Sequence, residues 1–412
     1  MRTAILSVGT EILFGQITNT NTVFLSQQLN LLGFDVMYHY TVGDNPERLG
    51  DIIELAFRDC DLIITTGGLG PTEDDLTKET VCAALHDKLV QHEGSLKALE
   101  GYYKSMNRKM TENNLKQTMM PSRATVFDND AGTAPGFALE ENGKIIICMP
   151  GPPREMTRMW ERRAKPFLEK MQDSVIHYRM LRTFEIGESS LETALLDLID
   201  GQTDPTLATY AKEGEACVRV ASKRATLEEA KAAVDEMVEK VLDRVGEYVF
   251  SCDDEEFVDV VAGKLMDKNI TFSSAESCTG GMFAQYMTEV PGISAVFDRG
   301  FVTYTEEAKM AELGVKRETL DKYTAVSEEV ALEMARGLVK RTGSDLCISI
   351  TGIAGPGGGT EEKPVGLMYI GCVYKGRESV KMIRMRNVNR KWNRHYGVLH
   401  MLNVVNKTIS DL

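Results

Sequence analysis

No stretch of this 412-residue chain approaches the run of about 18 apolar residues that a membrane-crossing helix requires. The opening MRTAILSVGT lacks the apolar core and cleavage site of a secretory signal, and its short apolar run leads into a glycine turn, as a first buried strand would. A cytoplasmic protein with no membrane contact is expected. Cysteines are scattered: Cys60, Cys82, Cys148, Cys217, Cys252, Cys278, Cys347 and Cys372 never fall within four positions of one another, which suggests neither a disulfide framework nor zinc ligation. The six histidines form no HExxH pattern and none stands beside a candidate nucleophile, so any hydrolysis must find its base elsewhere. Positive charge is in deficit, with a net charge of −14, which argues against nucleic acid as the main partner because a phosphate backbone demands a broad basic face. One region inverts this balance. Between Lys375 and Arg394 eight basic residues (Lys375, Arg377, Lys381, Arg384, Arg386, Arg390, Lys391, Arg394) stand against the single acid Glu378. They suit either a pocket for a phosphorylated small molecule or a solvated strand and helix face.

With 43% hydrophobic and 26% charged residues the composition is that of a folded globular protein, and the length implies two or three domains, read here as three. The expected fold class is α/β: two α/β sheet domains joined by a small α+β domain. Over 1–172, apolar runs that end in glycine (TAILSVG, DLIITTGG, KIIICMPG) alternate with amphipathic segments, which predicts a parallel sheet covered on both faces. Over 173–251, HYRMLRTFEI, SSLETALLDLI, ACVRVAS and LEEAKAAVDEMVEKVLDRVG predict a βαβα unit with no constellation for chemistry. The acidic run from Asp253 to Glu256 marks the border of the last domain, 252–412. There the predicted strands are ITFSSA, RGFVTY, LCISIT and LMYIGCVY, with a final helix from about Arg390.

Ligands of such sheets bind beyond the carboxyl ends of the strands. In the last domain, Glu276-Ser277-Cys278-Thr279-Gly280-Gly281 joins a strand to a helix, which places a side chain at the positive helix end beside N–H groups free to hold an oxyanion. Gly280 and Gly281 leave room for a substrate. Ser277 and Cys278 compete as nucleophile, and either one could instead merely cap the helix. A serine without histidine needs another base, and Lys309 is a candidate if burial or a neighbouring cation such as Arg299 lowers its pKa toward 7 to 8. Tyr304 could relay the proton or hold the pair in place. By spacing alone Lys309 reads more readily as an exposed charge on the helix EEAKMAEL. The loop from Thr351 to Thr360, with Gly352 and Gly355, could turn N–H groups toward an anion.

In the first domain three glycine turns follow three strands: Gly9-Thr10-Glu11 with Asn19 beyond it, Gly43-Asp44, and Gly67-Gly68-Leu69-Gly70-Pro71-Thr72-Glu73-Asp74-Asp75. Their convergence would set Glu11, Asp44, Asp74 and Asp75 around an anion cradle. Such a donor set favours a hard divalent cation, Mg²⁺, Mn²⁺ or Co²⁺, with Glu11, Asp74 and Asp75 as candidate ligands. Any one of these carboxylates, Asp74 for instance, could equally cap a helix.

The run AESCTGG, RGFVTYTEEAK, AVSEE, ITGIAGPGGG and EEKPVG resembles, in order and spacing, the nicotinamide-nucleotide amidase domain of the CinA family. The first-domain motifs, with MPGPPREM, are similar to the molybdopterin-binding fold as it occurs in that family, and the middle segment resembles its KH-type unit. The resemblance implies hydrolysis of nicotinamide mononucleotide to nicotinate mononucleotide and ammonia, without a cofactor. It assigns Ser277 as nucleophile, Lys309 as base and Tyr304 as supporting hydroxyl. Thr279, Gly280, Gly281, Gly352 and Gly355 then line the substrate, and Arg390 or Arg394 takes its phosphate. For the first domain it implies a metal-dependent ADP-ribose pyrophosphatase, with Asp44 and Asp75 as functional acids. Gly9, Thr10, Asn19, Gly67, Gly68, Gly70 and Thr72 would hold that substrate. The middle segment has no GXXG clamp, so RNA binding is not implied. A homodimer is the default assembly. The alternatives are a non-enzymatic competence or DNA-damage binding protein and a molybdopterin-binding protein.

Overall fold

In the computed structural model, which describes residues 1–171, 174–212, 214–386 and 388–410, the apolar runs of the first domain become adjacent strands. The expected border at positions 172 and 173 lies outside the described residues. By backbone contacts the chain divides into two units, Met1–Tyr178 with Ser222–Ala233, and Arg179–Ala221 with Val234–Leu412. No described helix is long and apolar enough to cross a membrane.

In the first unit, β1 (Arg2–Val8), β2 (Asp35–Val42), β3 (Leu62–Thr66), β4 (Leu89–Gln91), β5 (Met119–Pro121), β6 (Thr125–Phe127), β7 (Gly136–Glu141) and β8 (Lys144–Met149) follow in order. Six of them form one sheet in the order β2-β1-β3-β8-β7-β6, and β4 pairs with β5 apart from it. The part formed by β2, β1, β3 and β8 is parallel, as expected. It is not parallel throughout, because β7 and β6 run antiparallel. The cause is local. Asn142 and Gly143, at φ 52° and 75°, form a two-residue turn, which can join only antiparallel neighbours. Separate apolar clusters around Ile63 and Ile146 on one face, and Ile64 and Trp160 on the other, bury both sides of the sheet.

The middle segment contributes β9 (Val175–Thr183), β10 (Thr206–Lys212), β11 (Glu215–Arg224) and β12 (Val249–Ser251), ordered β10-β11-β9-β12, with helices Glu188–Asp200 and Leu227–Val245. The expected βαβα order misses β12, a three-residue strand after the long helix, and also β10. That strand has one fully buried side chain, Leu207, and so carries no apolar alternation to read.

The last domain holds β13 (Phe272–Glu276), β14 (Phe297–Val302), β15 (Leu346–Gly352), β16 (Leu367–Tyr374) and β17 (Arg377–Arg384), ordered β14-β13-β15-β16-β17. β14, β13 and β15 are parallel neighbours, whereas β16 and β17 run antiparallel. β17 was not expected: it is a charged edge strand that buries only Ile383, a composition that protects an open edge from pairing. Thus three parallel strand ends deliver Ser277, Thr303-Tyr304 and the 352–359 loop to the same side of the sheet.

The segment before this domain is tied to it by charge. Arg182, almost fully buried, pairs with Glu215 at 2.7 Å and with Glu256 at 2.7 Å. Removing the guanidinium leaves the Glu215 carboxylate buried without its partner. Arg182→Ala is therefore expected to lower the unfolding free energy by about 3–5 kcal/mol, measured from denaturant midpoints; a loss below about 1 kcal/mol would match an exposed pair instead.

Candidate active site

Ser277 follows β13 directly. Its N–H donates to the carbonyl of Ile350 on β15 (3.0 Å), which fixes the start of the turn on the neighbouring strand. Gly280 and Gly281 then take φ 60° and 93°, left-handed values that let the chain reverse sharply into the helix Met282–Glu289. Lys309 lies on the helix Glu306–Leu313, capped by the Thr305 side chain, and is 1% exposed. The reading as an exposed surface charge is thereby corrected. Its Nζ stands 2.9 Å from Ser277 Oγ and donates to the carbonyls of Thr303 (2.7 Å) and Tyr304 (3.4 Å).

Burial disfavours the ammonium and pushes the Lys309 pKa below its ordinary value of 10.5. The neighbouring cation considered from sequence is not the cause: Arg299 is exposed and paired with Asp298 at 2.7 Å. Two carbonyls accept two hydrogens from Nζ. A neutral amine has only two, so its lone pair then faces the serine hydroxyl.

Cys278 does not share this environment. Its Sγ is buried against the Met368 sulfur (3.7 Å), and burial pushes its thiol up to about 12. Tyr304 also departs from expectation. Its hydroxyl accepts from Arg390 Nη2 (2.8 Å) at the exposed rim, and its backbone carbonyl, not its hydroxyl, meets Lys309. Arg390 also donates to the Gly355 carbonyl (2.8 Å), and Arg394 donates from Nε and Nη2 to the Thr279 carbonyl (3.2 and 2.5 Å). The start of the helix Arg390–Ser410 thus sets two guanidinium groups over the turn and the glycine loop. The basic cluster does not act as one pocket, since Lys381 pairs with Glu185 and Arg377 and Arg384 lie exposed on the edge strand β17. Thr279, expected to line the substrate, is fully buried, backbone included, and its carbonyl is taken by Arg394. Gly352 is required for packing, because a side chain there would run into Met368 and the Leu367 carbonyl.

Sequence reasoning missed Glu276. It is 1% exposed and accepts from the N–H groups of Gly281 (3.0 Å), Phe283 (3.1 Å) and Ala284 (2.9 Å). Those donors were expected to be open to an anion. An acid just ahead of a helix start is the signal that was available.

In the first unit, Gly9-Thr10, Gly43-Asp44 and Gly67-Gly68 follow the adjacent strands β1, β2 and β3. Thr10 donates its N–H (3.0 Å) and hydroxyl (2.8 Å) to Asp44 Oδ2. Thr72 repeats the arrangement on Asp75 Oδ2, at 2.9 and 2.5 Å. A side chain at Gly67 would meet the Val8 carbonyl, one at Gly68 the Thr77 hydroxyl, and one at Gly70 the Asp75 carboxylate. Asn19 is structural: its Oδ1 caps the helix Thr20–Leu31 and its Nδ2 donates to Ser7 (2.8 Å). Glu11 and Asp74 are exposed, and a hydrogen bond from Thr72 holds the Asp74 carboxyl below the usual range. Asp74 is not the cap of the next helix, whose first flanking residue is Leu76. The expected ligand set of Glu11, Asp74 and Asp75 does not assemble, for among the described residues no three His, Cys, Asp or Glu side chains form a group that could hold a metal ion. A groove of about 970 Å³ between the helices Pro46–Asp59 and Thr77–Ala84 includes none of these residues.

Lys78 was also missed. It is 1% exposed, donates to the Lys116 carbonyl (2.6 Å), and is lowered to about 8 by burial. A lysine in the first turn of a helix runs against the helix dipole, which was its sequence signal.

The fold and site define a chain of three α/β parts, whose last part sets a buried lysine against a serine at parallel strand ends. Residues 254–409 match the CinA C-terminal domain, residues 4–170 the "Probable molybdopterin binding domain", and residues 178–251 the "Damage-inducible protein CinA KH domain". The chain is 47% identical over 412 residues to a relative from Acetivibrio thermocellus and 46% identical over 412 residues to the CinA-like protein of Dictyoglomus thermophilum. Each alignment covers 100% of both chains. The crystal structure of the competence/damage inducible protein CihA from Agrobacterium tumefaciens is 38% identical, covering 38% of this chain and 97% of that one, at a TM-score of 0.36. The chain belongs to the CinA family.

The burial of Cys278 gives a direct test. Iodoacetamide at pH 8 is expected to leave Cys278 unmodified in the folded protein, by mass spectrometry of its peptide, since a thiol at about 12 holds almost no thiolate there. Rapid alkylation of that peptide would contradict the assignment.

Proposed function

We propose that the last domain is a serine–lysine amidohydrolase that converts nicotinamide mononucleotide to nicotinate mononucleotide and ammonia. The observation that carries the reading is the placement of Lys309 Nζ, 2.9 Å from Ser277 Oγ with two carbonyls on its other side. Neutral Lys309 takes the serine proton as Oγ bonds to the carboxamide carbon. When the C–N bond breaks, the Lys309 ammonium gives its proton to the leaving nitrogen, which departs as ammonia. Water then attacks the acyl-enzyme with the same amine as base, releasing nicotinate mononucleotide and restoring the serine. Arg390 and Arg394 stand over the turn and the glycine loop, where N–H groups not spent on Gly355, Tyr304 and Thr279 would meet the 5′-phosphate.

Ser277→Ala is expected to cut ammonia release by about 10⁴-fold or more, and wild-type rates from that variant would contradict the nucleophile. The pH dependence has a definite sign. Because the folded pKa of Lys309 lies below the unfolded 10.5, the unfolded chain binds the extra proton between the two values, so the stability contribution of this group grows as pH rises through that window. The same deprotonation switches on the base. Turnover is expected to rise with pH along one ionisation below 10.5, read from kcat profiles, and a flat or falling profile would exclude an amine base.

For the first domain we propose a nucleotide-phosphate site at the three glycine turns, with ADP-ribose as substrate and AMP and ribose 5-phosphate as products. The paired Thr10–Asp44 and Thr72–Asp75 units at adjacent strand ends support it. The carboxylates do not fit a protein-only metal cage, so any cation there would depend on phosphate oxygens of the ligand. Incubation with ADP-ribose and Mg²⁺, Mn²⁺ or Co²⁺ is expected to yield AMP. Intact ADP-ribose together with tight binding of a molybdopterin precursor would favour the binding role instead.

A further inference from the structure

We propose that Glu276 is the positioning residue of the Ser277 turn, an inference that rests on the serine–lysine reading above. The first N–H groups of a helix have no intrahelical partner. In the helix Met282–Glu289 they are taken from within: Glu276 Oε2 accepts from Gly281 (3.0 Å) and Phe283 (3.1 Å), and Oε1 accepts from Ala284 (2.9 Å). The backbone of Glu276 belongs to β13, in register with Val302 on β14 and Ile350 on β15. One residue is thus held in the sheet by its main chain and in the helix by its side chain. The four residues between, Ser277 to Gly280, form a closed loop whose two ends share one buried anchor.

Two consequences follow for the chemistry. The helix end is already occupied by a carboxylate, so it does not serve as the receptor for a substrate anion. The loop is further pinned by Ser277 N–H on the Ile350 carbonyl (3.0 Å), Gly280 N–H on the Ser277 carbonyl (3.2 Å) and Arg394 on the Thr279 carbonyl. Glu276 and Arg394 are the charged anchors of the loop, and charge-assisted bonds of this kind are the strong ones. The Lys309 pKa is lowered by burial, against which Cys278 and Glu306 act. Glu276 bonds the helix end of the turn, so its action falls on the place of Ser277.

The test uses Glu276→Gln in the full chain. An amide keeps the shape but offers one acceptor oxygen and turns N–H groups toward helix N–H groups. The expected result is a kcat for nicotinamide mononucleotide lowered by about 10², a KM changed by less than about threefold, an unmoved pH limb, and faster amide hydrogen exchange at Gly281, Phe283 and Ala284. Glu276→Asp, which keeps the charge with a shorter reach, is expected to fall between the two, and serves if the glutamine variant does not fold. Unchanged kcat, unchanged exchange, or a loss carried by KM would each overturn the proposal. So would a pH limb displaced in step with the loss, which would make Glu276 a charge partner of the base. If the wild-type chain releases no ammonia, the substrate assignment fails alone, and the rate of fluorophosphonate labelling at Ser277 replaces kcat. Slower labelling in Glu276→Gln then supports the positioning role, while equal labelling or none in the wild type overturns it.

Discussion

Lys309 is a lysine that the fold keeps out of water and gives almost nothing to neutralise it. The residue is 1% exposed, and its Nζ meets two backbone carbonyls and a hydroxyl, with no ion pair to a carboxylate among the described residues. A group so placed is costly to keep charged, and that cost is what the proposed role as a base draws on. Helix capping by Thr305, the parallel pairing of β13 and β14, and the carbonyls that follow β14 all act on this one atom. Changing any of them changes the distance to Ser277 or the number of hydrogens the nitrogen must place.

The surrounding parts divide the remaining work. Glu276 fills the helix end and holds the turn, Arg394 clasps the turn from outside, and Arg390 links Tyr304 to the Gly355 carbonyl at the rim. Electropositive groups lie at the mouth, while the reacting pair lies behind them. In the proposed reaction this separation sets the exposed Arg390 and the half-buried Arg394 apart from Lys309. Cys278, one position from the serine, is turned into the core, so adjacency in sequence separates two nucleophiles by the direction of their side chains alone.

Much of the fold was legible because apolar runs ending in glycine can hardly be anything but buried parallel strands. The exceptions have a common cause. β10 and β17 bury one side chain each and are held by backbone pairing, which leaves no hydrophobic period in the sequence. The antiparallel β7 was signalled by Asn142-Gly143, but that signal was not weighed. At the site, Ser277 could be nominated from its strand-to-helix turn, whereas Lys309 could not be chosen from spacing, because burial of a single lysine on a short helix depends on packing 32 residues away from the serine. Arg299 looked suitable as a neighbour and is spent on Asp298. Tyr304 was read as a hydroxyl for the dyad, yet its carbonyl faces the lysine, a distinction that side-chain identity does not encode. In the first domain the turns lie at adjacent strand ends, but the acids pair with threonines and do not assemble into a cage.

The central claim is that the fold holds Lys309 ready to be neutral. The most direct measurement is a ¹⁵N NMR titration of the lysine side chains, with Lys309 assigned by its loss in Lys309→Met. The expected result is a midpoint for Lys309 below 10.5 and below those of the exposed lysines of the same chain. A midpoint at or above that value would contradict the account and leave Ser277 without a base.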